Sequence, residues 1–344
     1  MHPRKNLLYL GNKLAVHGKP PAAIDFLSAK LRQEGYTVIT ASSKKNTVLR
    51  LLDMVLATIQ NRNRAHLVLI DTYSTLNFQY AVMVAGLCRL FKLPYIPILH
   101  GGNLPNRLKN NKRTSRKLFG KALTNVAPSI YMLEEFKREG YENTVFIPNA
   151  IPLEKYPFQL RNSVNPKLLW VRSFSEIYNP LLALEIVGML QKKGMDVSLC
   201  MVGPDKDGSL QHCKNRAAEL SLPITFTGML QKEEWLALSK EYDIFINTAN
   251  FDNMPISVME AMALGMPVVS TDVGGLPFLI ENGIDGILVP PNKPEAFVKA
   301  IEELCGNPIN AMEITKNART KMEGFDWEKI KHSWIKLFGG LKIE

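Results

Sequence analysis

Residues Tyr242 to Gly265, YDIFINTANFDNMPISVMEAMALG, hold a strand, a polar loop and a helix in immediate succession. Asp243 to Asn247 is rich in strand-forming residues. Pro255 suits the first turn of a helix, where its missing N–H is not needed and its φ is already helical. Gly265 followed by Pro267 ends that helix. Between them Ile256, Ser257, Val258, Met259, Ala261, Met262, Ala263 and Leu264 are apolar nearly all round, which predicts a helix with no water-facing side. Glu260 is the one charge inside it. A carboxylate is costly to bury unless it is hydrogen-bonded or meets a polar ligand. Strand, loop and helix together also aim the helix N-terminus at the mouth of an α/β sheet, a ready anion site. An anion there with a carboxylate nearby outlines a nucleotide-sugar pocket.

The same alternation runs through the chain. In the first half, strands are predicted at Leu7 to Leu10, Val38 to Ala41, Leu67 to Asp71, Tyr95 to Leu99, Val126 to Pro128 and Val145 to Ile147. Helices are expected at 22–34, 48–59, 78–91 and 130–138. Pro148-Asn149-Ala150-Ile151-Pro152, bracketed by prolines, marks a domain boundary. A second series follows, with strands at Leu168 to Val171, Val197 to Val202, Ile224 to Thr227, Asp243 to Asn247, Pro267 to Thr271 and Ile287 to Val289. Strands alternating with helices predict parallel sheets joined by right-handed crossovers. At the end, Trp327, Ile330, Trp334 and Leu337 form one stripe of an amphipathic helix that must dock on something.

With 344 residues the chain is long enough for two such domains. No apolar run approaches the roughly 20 residues that span a bilayer, and the N-terminal apolar segment is too short for a signal peptide. Cys88, Cys200, Cys213 and Cys305 lack paired spacing, which argues against a disulfide framework or a zinc site and for a reducing cytoplasm. The net charge of +10 is unevenly spread: 22 Lys and Arg stand against 8 Asp and Glu through Ala150, and 20 against 24 beyond it. An anionic partner is therefore expected for the first half, a membrane surface or lipid phosphate ahead of nucleic acid, whose motifs are missing.

Several loops carry candidate chemistry. Gly11-Asn12-Lys13, after the first strand, is either a phosphate-approaching glycine loop or an ordinary tight turn. Lys19 lies in the same loop. His100-Gly101-Gly102-Asn103 follows a parallel strand, where α/β ligands bind, although a lone histidine is commonly structural. Arg107, Lys109, Lys112, Arg113, Arg116, Lys117 and Lys121 accumulate with no acid among them, while Leu104, Leu108, Leu118 and Phe119 are interspersed. That stretch reads as a face on anionic lipid or as a solvated basic helix. Asp205-Lys206-Asp207 could hold a cation in principle, but carboxylates alone on a loop seldom make a site, and solvation is expected.

His100-Gly101-Gly102, Ile147-Pro148-Asn149, Met201-Val202-Gly203, the Asp252 to Glu260 stretch, Gly265-Met266-Pro267, Val273-Gly274-Gly275 and Gly286 to Pro290 fall in the order seen in glycosyltransferase family 4. The chain resembles that family over nearly its full length. The resemblance implies the α/β GT-B architecture: two facing Rossmann-like domains, with a C-terminal helix crossing back to the first. Residues 1–150 would bind the acceptor, 151–325 the nucleotide sugar, and 326–344 would form the crossover helix. It implies a retaining transferase with no metal and no cofactor. Its donor would be a nucleotide-diphosphate sugar, UDP- or GDP-linked, and its acceptor lipid-linked or a glycan, at the cytoplasmic face of a membrane.

By the same resemblance Glu260 binds the donor ribose, and Asp252 stands for the family's first Glu, one methylene shorter. His100 lines the sugar site, and Arg172 clamps the diphosphate. The lysine that usually follows it is absent, with Tyr178 or Asn179 in its place. These four residues form the catalytic set: His100, Arg172, Asp252 and Glu260. Gly11, Gly203, Asn253, Met254, Pro255, Ile256 and Glu260 form the donor set, and Lys13, Asn103, Arg107, Lys112, Arg113 and Arg116 the acceptor or membrane set. A nucleotide-sugar epimerase or phosphorylase of the same fold, or a non-turning-over binding protein, are the alternatives.

Overall fold

The computed structural model describes residues 6–18, 21–75 and 77–340. They form two compact units, one of residues 1–148 with 332–344 and one of residues 149–331.

The first unit is built on β1 (Asn6–Leu10), β2 (Thr37–Ala41), β3 (Leu67–Thr72), β4 (Tyr95–Leu99), β5 (Asn125–Ala127) and β6 (Thr144–Phe146). All neighbours are parallel, in the order β2-β1-β3-β4-β5-β6. Helices cover this sheet, so β3 and β4 are buried along their whole length, including Asp71 and Thr72 at the end of β3. Local chemistry sets the helix starts. Asn46 Oδ1 accepts from the amides of Val48 and Leu49 at the head of Thr47–Asn61, and Ser129 Oγ accepts from Met132 N at the head of Ile130–Arg138.

The second unit is built on β7 (Lys167–Val171), β8 (Ser198–Val202), β9 (Ile224–Gly228), β10 (Ile244–Asn247), β11 (Val268–Thr271) and β12 (Ile287–Val289), again parallel, in the order β12-β11-β10-β7-β8-β9. One core layer gathers Trp170, Phe174, Leu184, Ile186 and Phe297; the other gathers Phe245, Met259, Met262, Ala318 and Met322.

The structure adds to the sequence reading and corrects it in places. Helix Pro308–Glu323 was not anticipated. It buries Ala318 and Met322 in the layer that holds the helix Ile256–Leu264, which is why that helix is apolar on the side away from the sheet too. Pro255 caps this helix from outside, at φ −70° and ψ 119°, rather than entering its first turn. The final helix, Trp327–Gly339, starts in the second unit and ends in the first. Phe338, rather than Leu337, completes its buried stripe, edge-on to Tyr36 at 5.3 Å between ring centroids.

The basic stretch is a larger correction. It folds as two short helices, Leu104–Asn110 and Lys112–Leu118, and Leu104, Leu108, Leu118 and Phe119 all pack into the core. Lys112, Arg113 and Arg116 are left as solvated charges with no apolar company, so the mixed lipid face expected there does not form. No helix among the described residues is long and apolar enough to cross a membrane.

Candidate functional site

In an open parallel sheet the crevice for a ligand opens where the strand order reverses, at the carboxyl ends of the strands. In the second unit that point lies between β7 and β10. Arg172 follows β7 directly, and the loop from Thr248 to Pro255 follows β10. The structure brings the two together: Arg172 and Asp252 form an ion pair, and the guanidinium lies 4.5 Å from the centroid of the Tyr178 ring. Lys206 Nζ approaches the same ring at 5.9 Å. Burial lowers the Arg172 pKa, while Tyr178 and the charge of Glu260 work against that shift. Its Nε is buried without an acceptor among the described residues. The position expected to carry a phosphate-binding lysine thus carries an aromatic platform beneath one cation and beside another.

Two close backbone approaches shape this crevice. Gly203 has φ +149°, and a Cβ there would run into the Arg172 carbonyl. Gly203 therefore lets the end of β8 close on the backbone of Arg172; it is buried and acts through packing. Gly275 N donates to Asp252 O at 3.0 Å, and side chains at Gly274 and Gly275 would meet the carbonyls of Asp252 and Asn253. The loop is further held by Asp252 Oδ1, which accepts from Asn253 N at 2.9 Å, and by Asn149 Nδ2, which donates to Met254 O at 3.2 Å. Asn253, Met254 and Pro255 are buried; Ile256 is partly exposed at the helix start. Ser257 Oγ, in the first turn, is buried with no hydrogen-bond partner among the described residues.

Glu260 is 4% exposed and is met by two donors. Tyr156 donates its hydroxyl to Glu260 Oε1 at 2.7 Å, and the Lys232 ammonium forms an ion pair with the same oxygen. Lys232 also lies over the rings of Tyr156 and Trp235, at 5.7 and 5.0 Å. Burial and then the Glu260 charge push the Tyr156 hydroxyl well above its ordinary range, so it stays a donor. The buried acid recognised in the sequence is therefore a satisfied one. Neither partner was legible, because Tyr156 lies 104 residues away in the chain and Lys232 lies 28 away.

In the first unit the order reverses between β1 and β3. Gly11 leaves β1 there, and a Cβ on it would strike the Asp71 carboxylate. Asp71, fully buried, accepts from Tyr9 Oη at 2.7 Å and pairs with His100 Nε2 at 2.9 Å through the same oxygen; its Oδ2 has no hydrogen-bond partner among the described residues. Tyr73 stacks on His100 at 5.6 Å, and burial followed by the Asp71 charge raises the pKa of both Tyr9 and Tyr73. His100 is thus not a lone histidine: its Nε2 is occupied by a buried acid, and Nδ1 is the other ring nitrogen. The signal for Asp71 was present, a carboxylate closing an apolar strand.

The remaining acceptor-set residues are more dispersed. Lys13 Nζ donates to Thr40 Oγ1 at 3.3 Å, and Asn103 is exposed at the head of Leu104–Asn110. Arg107 donates from Nε to Ser74 O at 2.8 Å and lies over Phe78. Lys19 lies outside the described residues. Asp205 and Asp207 cap their own turn and tie it to Ser175 and Glu176. Bonds from Ser209 and the Glu176 amide hold the Asp207 carboxyl at about 2. No cluster of metal-ligating side chains occurs among the described residues.

Two parallel six-stranded sheets with helices, each reversing order at a crevice, make this a GT-B fold. Anabaena HepE, solved in complex with UDP and glucose, superposes on 98% of this chain and 100% of its own with a TM-score of 0.79 at 19% identity. Residues 154–321, just under half of the chain, match the model of glycosyl transferases group 1. Among curated relatives, the amylovoran biosynthesis glycosyltransferase AmsK of Erwinia amylovora is 24% identical over 273 residues, covering 72% of this chain and 64% of AmsK. The UDP-Gal:alpha-D-GlcNAc-diphosphoundecaprenol alpha-1,3-galactosyltransferase of Escherichia coli is 24% identical over 209 residues, 55% of this chain and 53% of that enzyme. The chain therefore spans less than two thirds of either relative.

Proposed function

We propose that the protein is a retaining glycosyltransferase that moves a sugar from a nucleotide-diphosphate donor, UDP-linked in preference to GDP-linked, to a lipid-linked or glycan acceptor at the cytoplasmic surface of a membrane. The observation that carries this reading is Glu260: a buried carboxylate four residues into a helix whose N-terminus opens on the strand-order reversal, with the partly buried Arg172 at the same place. UDP in HepE and a diphosphoundecaprenol acceptor in the name of the E. coli relative support the choice of donor and acceptor class.

In this reading Glu260 accepts from the ribose hydroxyls. The diphosphate settles against the amides at the start of Ile256–Leu264, within reach of Ser257 Oγ, and Arg172 turns from Asp252 to the phosphates. Lys206, brought close by Tyr178, supplies the second positive charge that the missing lysine would have given. Asp252, once released, accepts from the donor sugar's hydroxyls. As the glycosidic bond breaks, negative charge grows on the departing phosphate, where preorganised donors are typically worth about 3–4 kcal/mol each. The acceptor hydroxyl gives its proton to that phosphate on the same face, so no protein base and no metal is invoked. The first unit's crevice at Gly11, His100 and Asn103 receives the acceptor.

Purified protein incubated with UDP-, GDP- and ADP-sugars tests the proposal. Donor hydrolysis or transfer supports it. Isomerisation of the donor instead identifies an epimerase, and binding without turnover identifies a binding protein; either result refutes the transferase.

A further inference from the structure

Helix Thr47–Asn61, in the first unit, packs one side inward and leaves an apolar side uncovered. Arg50, Met54 and Thr58 face inward and are buried, with Thr58 Oγ1 donating to Met54 O at 2.8 Å. On the outer side Val48, Leu49, Leu52 and Leu56 are 50–65% exposed. Positions 49, 52 and 56 recur at helical spacing and 48 stacks one turn before 52, so they form a continuous stripe. A surface helix ordinarily turns polar residues outward; here Asp53 is the single acid of the helix. Exposed basic residues bracket the stripe, Lys44 and Lys45 just before the helix and Arg62 and Arg64 just after it. Leu90, at the end of the helix Phe78–Leu90, is also exposed, and the Arg62 guanidinium lies 5.8 Å from the ring of Phe91 beside it.

We infer that this helix is a docking element that lies in the plane of an anionic lipid surface, with Val48, Leu49, Leu52 and Leu56 in the acyl boundary and the flanking Lys and Arg at the headgroups. At 1.5 Å per residue its 15 residues measure about 22 Å, too short for the roughly 30 Å hydrocarbon core, so the helix rests on the bilayer and does not cross it. Charge selects the occupant. Residues through Ala150 carry 22 Lys and Arg against 8 Asp and Glu, which repels a second copy of the same face and attracts phosphatidylglycerol-type headgroups. The inference rests on the proposed membrane-borne acceptor but uses none of the donor-site residues.

The test is co-sedimentation of the full chain with phosphatidylcholine vesicles, with and without a quarter phosphatidylglycerol, alongside hydrolysis of a soluble sugar nucleotide. The wild type should pellet with anionic vesicles. Leu49→Ser/Leu52→Ser/Leu56→Ser, all at exposed positions, should weaken partitioning at least tenfold. Lys44→Gln/Lys45→Gln should weaken it roughly 30-fold on anionic vesicles only, about fivefold for each basic residue removed. Both variants should keep the wild-type melting curve and hydrolysis rate. Equal pelleting by wild type and the triple variant overturns the inference. So does a dimer in light scattering that the triple variant dissolves without any effect on vesicles, which would show that a second copy covers the stripe. Vesicle binding lost with the stripe while no donor is hydrolysed upholds the docking element and refutes the transferase reading alone.

Discussion

Lys232→Met leaves the Glu260 carboxylate with the Tyr156 hydroxyl but without its cation, in a place where water hardly reaches it. Breaking a fully buried pair by removing one partner costs about 3–5 kcal/mol, mostly from the charge left behind. Glu260 meets that description, with its side chain 5% exposed; Lys232 does not, with 36% of its side chain in solvent. Screening of the exposed partner brings the expected cost down to about 2 kcal/mol. For a unit of 150–250 residues this lowers the melting temperature by about 4–8 °C. Glu260→Gln removes the same ion pair from the other side. It keeps the volume and an acceptor for Tyr156, and frees an ammonium already half in water, so its folding cost should stay near 0.5–1 kcal/mol.

The double variant should be more stable than Lys232→Met alone, because no buried charge is left unmatched. Urea denaturation of the four proteins gives the cycle. In the same samples, calorimetric titration with UDP should show Glu260→Gln binding about 1–3 kcal/mol more weakly. Additive costs, or a Lys232→Met variant as stable as wild type, would refute the account of Glu260 as a buried charge held by its partners.

Gly275→Ala should destabilise the second unit by about 1–3 kcal/mol and weaken UDP binding, because its Cβ meets the Asn253 carbonyl and displaces the loop carrying Asp252; denaturation and calorimetry check both, and wild-type affinity would count against the loop's part in the site. Asp71→Asn keeps the shape and one acceptor oxygen between Tyr9 and His100 but removes the charge. Melting should shift only modestly, while transfer should fall at least tenfold with donor affinity intact, as a KM-against-kcat comparison would show.

Much of the architecture could be read from the chain. Tyr95–Leu99, Ile130–Arg138 and Ile287–Val289 carry their own limits in apolar runs bounded by turn residues, caps and prolines. Pro308–Glu323 was not anticipated, although Asn307 as cap and Gly324 beyond it are local boundary signals. The stretch from Leu104 to Lys121 failed for a different reason. Periodicity shows that leucines are grouped but does not say which side of a helix meets the core, and all four expected lipid contacts turned inward. Conversely, the pattern at 48–59 predicts a helix but does not say that Val48, Leu49, Leu52 and Leu56 stay on an uncovered side.

The amino-acid sequence by itself determined the alternating α/β plan, the break near Pro148, the apolar helix with Glu260 inside it and the charge imbalance between the halves, because each is written in local pattern, turn chemistry and composition. Only the tertiary structure decided that Glu260 is shared by Tyr156 and Lys232, that Arg172 rests on Tyr178 and pairs with Asp252, and that Asp71 holds His100. Arg172 and Asp252 meet because β7 and β10, distant in the chain, end side by side where the sheet order reverses, and the other contacts, a few ångströms long, likewise depend on how the elements pack rather than on spacing along the sequence.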